Sequence, residues 1–180
     1  MKAVVFFATG FEECEALIVV DILRRAGIET VMVSVTELLE VESSRHIVLR
    51  ADAMAADVDY ASADLIVLPG GRLGTENLKD SRAIQDIVKD FAADKMIAAI
   101  CAAPSILASL GLLDGRQATC HPDYENQMAG AILTHESVTI DGNIITGQGL
   151  GTTFDFAFEI VKRLIGNRKV QQIKTAICYK

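Results

Sequence analysis

Short runs of apolar, largely β-branched residues at 3–8, 29–35, 64–68, 96–100 and 144–146 alternate along this chain with longer stretches of helical periodicity at 12–26, 80–93, 102–110 and 152–165. Parallel strands cannot be joined by tight turns and need crossover helices, so the alternation predicts a mostly parallel sheet covered on both faces, a three-layer α/β fold. Within that plan, residues 38–50 read as an inserted hairpin around the polar Glu42-Ser43-Ser44-Arg45 turn. The stretch 117–147 reads as short strands with a hairpin turn at Asp141-Gly142-Asn143, and a short helical tail begins at 167. One domain over residues 1–180 is expected, since 180 residues suit a single core and no repeat or low-complexity segment divides them.

Charge and apolar content exclude several function classes. Seventeen Lys and Arg against 24 Asp and Glu give a net charge of −7, with no basic run to meet phosphate backbones or anionic lipid. Nucleic acid is not expected as a primary partner. No apolar stretch approaches the ~20 residues of a membrane helix, and the run Ala3–Ala8 is too short for a secretion signal, so a cytoplasmic protein without membrane association is expected. Cys14, Cys101, Cys120 and Cys178 are far apart and form no C-x-x-C pair, which fits neither a disulfide framework nor a zinc ribbon.

The first helix is apolar around more of its circumference than one sheet can cover. Ala16, Leu17, Ile18, Val19, Val20, Ile22, Leu23 and Ala26 leave only a narrow polar strip at Asp21, Arg24 and Arg25. Such a helix is either sandwiched within the domain or packed against another subunit, and a homodimer through it is expected.

Sites in doubly wound sheets form at the carboxyl ends of strands. Polar or glycine-rich groups occupy these ends at Thr9–Glu15, Pro69–Gly74, Cys101–Pro104 and Gly147–Thr152. Cys101 stands at the junction of the buried strand 96–100 with a helix that has Pro104 in its first turn. A sharp elbow there would present the sulfur, and helix N-terminal amides would favour thiolate, pulling its pKa below the ordinary ~8.5. The same position also suits an inert buried cysteine. The amides of Gly70, Gly71 and Ala102 are candidates for an oxyanion hole, although Gly70-Gly71 also suits a plain tight turn. Glu15, in the first turn of the first helix, can bond the sulfur and move a proton if it is buried, or simply complement the helix dipole.

His121, in Thr119-Cys120-His121-Pro122, is placed to reach this crevice as a base, whereas His46 and His135 read as surface residues. Glu15, Cys101, Cys120 and His121 lack metal-ligand spacing, so neither metal nor cofactor is expected. Gly147-x-Gly149-x-Gly151 is not a dinucleotide fingerprint, and these glycines are read as permitting close backbone packing, with room for an anion at the following helix.

Taken together these blocks resemble the ThiJ/PfpI superfamily, specifically its branch of deglycase and glyoxalase III-like proteins. The resemblance runs through Gly10–Ala16, Asp21–Gly27, Leu68–Gly71, Ala98–Ala102, Thr119–Pro122 and Gly147–Thr152. It implies a flavodoxin-like sandwich of the class I glutamine amidotransferase type, and a homodimer with the first helix in its interface. It also implies a reactive cysteine at Cys101, its bonded glutamate at Glu15, a nearby histidine at His121 and an oxyanion site at the Gly71 and Ala102 amides. Arg45 matches an arginine that reaches toward the pocket across the dimer. Ala103 replaces a usual glycine beside the elbow, and Leu150 a common proline. Ala102 replaces the histidine of the protease-like branch, which argues against peptidase activity.

The activity so implied is cofactor-free conversion of small dicarbonyls such as methylglyoxal and glyoxal to 2-hydroxy acids, or reversal of early glycation adducts. The alternative, from the same two residues, is an oxidative-stress sensor whose Cys101 passes to sulfenate or sulfinate with little turnover.

Overall fold

The computed structural model describes residues 1–179. In chain order the strands are β1 (Lys2–Phe7), β2 (Glu29–Ser34), β3 (Glu40–Glu42), β4 (Val48–Arg50), β5 (Ala53–Met54), β6 (Leu65–Leu68), β7 (Met96–Ile100), β8 (Gln117–Ala118), β9 (Ile132–Leu133), β10 (Val138–Asp141) and β11 (Ile144–Gly147). The helices are α1 (Glu13–Arg25), α2 (Arg72–Asp80), α3 (Arg82–Asp94), α4 (Pro104–Ser109), α5 (Thr153–Leu164) and α6 (Asn167–Ala176). The main sheet has seven strands in the order β10-β11-β7-β6-β1-β2-β5, and only β10 runs antiparallel to its neighbour. The expected doubly wound α/β sandwich is the one observed.

Two cores explain the uninterrupted apolar runs. Along β1, Ala3, Val5 and Phe7 face a core shared with α1, α5 and α6, while Val4, Phe6 and Ala8 face a second core with α3 and α4. A strand buried on both faces cannot afford an alternating polar residue. The inserted hairpin forms as β3–β4, and Asp141-Gly142-Asn143 joins β10 to β11 with Gly142 at φ 60°.

One expectation needs correction. Residues 72–79, given no helix between the strand 64–68 and the helix read over 80–93, belong to α2 (Arg72–Asp80), and its interior Gly74 is there because a Cβ would stand 2.6 Å from Phe11 Cα. The breadth of apolar surface on α1 is largely accounted for within the chain: the helix packs on the sheet and flanks α5, leaving Leu17 and Ile18 only partly buried. Among the described residues no helix is long and apolar enough to cross a membrane.

Candidate active site

The chain turns back on either side of β1, running to β2 in one direction and to β6 and β7 in the other. A crevice opens outside the carboxyl ends of strands at such a switch point, and here Gly10, Gly71 and Cys101 all reach it. Gly71 caps α2 at φ 87°, where any Cβ would meet Gly10 O at 2.4 Å and Glu12 N at 2.6 Å. The Gly-Gly pair is therefore more than a tight turn; it lets two strand ends touch.

Cys101 occupies the elbow with φ 64°, a left-handed conformation that costs a non-glycine residue of order 1–3 kcal/mol. The surroundings hold it there. Its N–H donates to Gly147 O (2.9 Å), and its carbonyl accepts the His121 N–H (2.9 Å). Helix α4 begins only at Pro104 and spans six residues, so the elbow is a turn followed by a short helix.

Glu15 is 1 % exposed in the first turn of α1. Glu12 caps that helix, its carboxylate accepting the Glu15 N–H at 2.7 Å, and this fixes the backbone from which the Glu15 side chain reaches inward. The Gly70 N–H donates to Glu15 Oε2 (2.9 Å), while Glu15 Oε1 is buried with no hydrogen-bond partner among the described residues. The carboxyl lies beside the Cys101 thiol, and each group alters the proton affinity of the other. Gly70 is what lets them meet: a Cβ there would stand 2.5 Å from Glu15 Oε2, 2.7 Å from Cys101 Cβ and 3.1 Å from its Sγ.

The electrostatics revise one expectation. Burial pushes the Glu15 carboxyl up to about 7. Burial and the charge of an ionised Glu15 push the Cys101 thiol up to about 12, against the lowering expected from a helix N-terminus, while the Gly71 and Ala102 N–H groups aimed at the sulfur favour its anion. The two side chains thus compete for one proton. A thiolate belongs to the state in which Glu15 holds that proton, because the repelling charge is then gone and an O–H is available to the sulfur.

His121 borders the same cleft, half-exposed. Its Nδ1 accepts the Asp123 N–H (3.3 Å), which puts the proton of the neutral ring on Nε2. Arg45 borders the cleft of its own chain from the β3–β4 hairpin, donating to Ser44 O at 3.2 Å. That hairpin is tied to the elbow side by Gly10 N–H to Glu42 O (2.8 Å) and Ser44 N–H to Phe11 O (2.8 Å). The cleft measures about 830 Å³, and a second hollow of about 490 Å³, walled in part by Leu150, adjoins it at Arg45, Cys101 and His121.

Other expectations resolve individually. Cys120 is buried and outside both hollows, its thiol pushed up to about 11 by burial. Ala103 packs into the core and adds nothing to the cleft wall. Of the late glycines only Gly147 serves close packing, since a Cβ would stand 2.9 Å from the Phe156 ring, whereas Gly151 has open space around it. Sequence reasoning placed Glu12 and Arg72 in strand-end segments without giving either a role, and missed Tyr124 in the cleft wall. Arg72 and Tyr124 sit on α2 and on the 3₁₀ turn Pro122–Gln127, at positions where the sequence pattern marks no helix.

The chain is similar over most of its length to known proteins. The DJ-1/PfpI family description matches residues 1–163. The chain is 37 % identical over 184 residues to the Parkinson disease protein 7 homolog of Danio rerio, covering 99 % of this chain and 97 % of that protein. It is 37 % identical to protein DJ-1 homolog B of Arabidopsis thaliana, of whose length it spans 40 %. It is 32 % identical to the glutathione-independent glyoxalase DJR-1.2 of Caenorhabditis elegans, covering 93 % of this chain and 90 % of that protein. Among solved structures, a cysteine-to-alanine variant of a DJ-1 superfamily protein from Salmonella typhimurium superposes with TM-score 0.95 at 36 % identity, covering 99 % of this chain and 98 % of that one.

Proposed function

The chain belongs to the DJ-1/PfpI family, and from that premise we propose that it is a cofactor-independent enzyme converting reactive dicarbonyls such as methylglyoxal and glyoxal to 2-hydroxy acids through Cys101. The observation that carries this reading is the buried Glu15 carboxyl against the Cys101 thiol, with two backbone N–H groups aimed at the sulfur. A relative named as a glutathione-independent glyoxalase supports the same reaction class.

In this mechanism the Cys101 sulfur adds to the aldehyde carbon, and the new alkoxide takes the Glu15 proton to give a hemithioacetal. The Gly71 and Ala102 amides stabilise the oxyanion as it forms. Glu15 then removes the proton on C1 and a proton returns to C2, so C1 is oxidised to a thioester while C2 is reduced to an alcohol. One water hydrolyses the thioester, releasing the 2-hydroxy acid and the free thiol. His121, with its Nε2–H beside the cleft, assists proton transfer to oxygen. A carboxyl poised near 7 suits a group that both gives and takes a proton at neutral pH. In the same reading a homodimer forms through α1, using the partly exposed Leu17 and Ile18.

The test is lactate formation from methylglyoxal without glutathione or added metal. Wild type should turn over, and Cys101→Ser and Glu15→Gln should each lose at least a hundredfold in kcat/KM, in keeping with the scale of general acid–base contributions. Absence of turnover by folded, reduced wild type refutes the reading. The second reading, a redox sensor, is favoured by one feature: a protonated Glu15 can donate to a sulfinate oxygen on Cys101. Under it, Glu15→Gln leaves oxidation of Cys101 to sulfenate intact, and no variant matters to turnover because there is none.

A further inference from the structure

Resting on the dicarbonyl reading above, the geometry points to Tyr124 as a specificity-determining residue that selects neutral, hydroxylated α-oxoaldehydes of sugar size over methylglyoxal. Three observations carry this. First, the cleft in front of Cys101 measures about 830 Å³. That lies within the roughly 300–1,000 Å³ of pockets that enclose drug-sized ligands, far more than a three-carbon dicarbonyl fills.

Second, Tyr124 offers an unused donor to that space. The Tyr60 hydroxyl donates to Ala55 O (3.0 Å) and the Tyr179 hydroxyl to Asp155 Oδ1 (2.9 Å). Among the described residues the Tyr124 hydroxyl has no such partner, and Tyr124 lines the cleft together with Cys101 and Arg72. The Tyr124 N–H donates to His121 O (2.8 Å), so the turn that places the histidine also places the phenol. A half-buried phenol without a protein partner gains most from a ligand oxygen.

Third, charge at the wall excludes anionic substituents. Glu12, Glu42, Glu76 and Asp123 line the cleft against Arg45 and Arg72. Four carboxylates thus face two guanidinium groups, one of which, Arg72, lies 3.5 Å from Glu76. A phosphate or carboxylate tail meets net negative charge, whereas a hydroxylated tail finds both donors and acceptors. The chemistry at C1 and C2 is unchanged: sulfur adds to the aldehyde, the proton moves from C1 to C2, and one water releases the polyhydroxylated 2-hydroxy acid. No external oxidant or reductant enters.

The experiment compares kcat/KM for 3-deoxyglucosone with that for methylglyoxal, in wild type and Tyr124→Phe. The ratio cancels any difference in folded fraction. Wild type should favour the hydroxylated substrate, and removal of one hydrogen bond should lower the ratio about tenfold in Tyr124→Phe. A wild-type preference for methylglyoxal, or a ratio unmoved within twofold by the substitution, overturns the assignment. If neither substrate turns over, the enzyme reading fails separately. Selectivity is then read from protection of Cys101 against iodoacetamide by each dicarbonyl, with the same tenfold shift expected and the same null result decisive.

Discussion

Replacing Glu15 by Gln should make this protein more stable at neutral and alkaline pH, and the gain should vanish in acid. Glu15 is 1 % exposed, and burial lifts its carboxyl from 4.5 to about 7. The folded state therefore binds a proton more tightly than the unfolded state between those values. Stability is undiminished below 4.5, falls as pH rises toward 7 and stays reduced above it. The separation corresponds to about 3 kcal/mol. Gln keeps an acceptor for the Gly70 N–H and carries no charge, so it removes this cost without emptying the site. For a chain of this length about 3 kcal/mol corresponds to roughly 6–12 °C in melting temperature. Melting curves of wild type and Glu15→Gln, taken from pH 4.5 to 8.5, should nearly coincide at the acid end and separate progressively to that extent. A constant offset across the range, or a less stable Glu15→Gln at pH 8, would refute the reasoning, because neither follows from a buried carboxyl forced to ionise.

Other outcomes follow from the glycines. Gly70→Ala inserts a methyl between Glu15 Oε2 and Cys101 Sγ, so it should cost about 1–3 kcal/mol by overpacking and also suppress iodoacetamide labelling of Cys101; normal labelling in the folded variant would show that the two side chains do not need this contact. Gly147→Ala meets the Phe156 ring at 2.9 Å and Ile100 at 3.0 Å and should lower stability by about 1–3 kcal/mol in urea denaturation, while Gly151→Ala, with open space, should stay within about 0.5 kcal/mol of wild type. Equal effects at the two positions would contradict the packing described.

Much of the fold was legible because burial on both faces leaves a local mark. Strands such as β1, β6 and β7 have no polar position to spare, and α1 announces itself by the apolar periodicity from Ala16 to Ala26, with Gly27 beyond it at φ 81°. The elbow at Cys101 was legible for the same reason, as the first residue after a strand that cannot continue. Helix α2 was not, because Gly74 weakens any local helical signal and its advantage, the close approach to Phe11, exists only once β1 and β6 are side by side. The 3₁₀ turn carrying Tyr124 is likewise held by His121, which is itself held by the Cys101 carbonyl.

The sequence by itself determined the mostly parallel sheet and the cysteine that stands at the carboxyl end of its strand 96–100, since hydrophobic periodicity is a property of neighbours along the chain. Only the tertiary structure decided the state of the site. Glu15 and Cys101, 86 positions apart along the chain, touch because Gly70 leaves room between them. Their contest for one proton depends on a burial that no local pattern encodes.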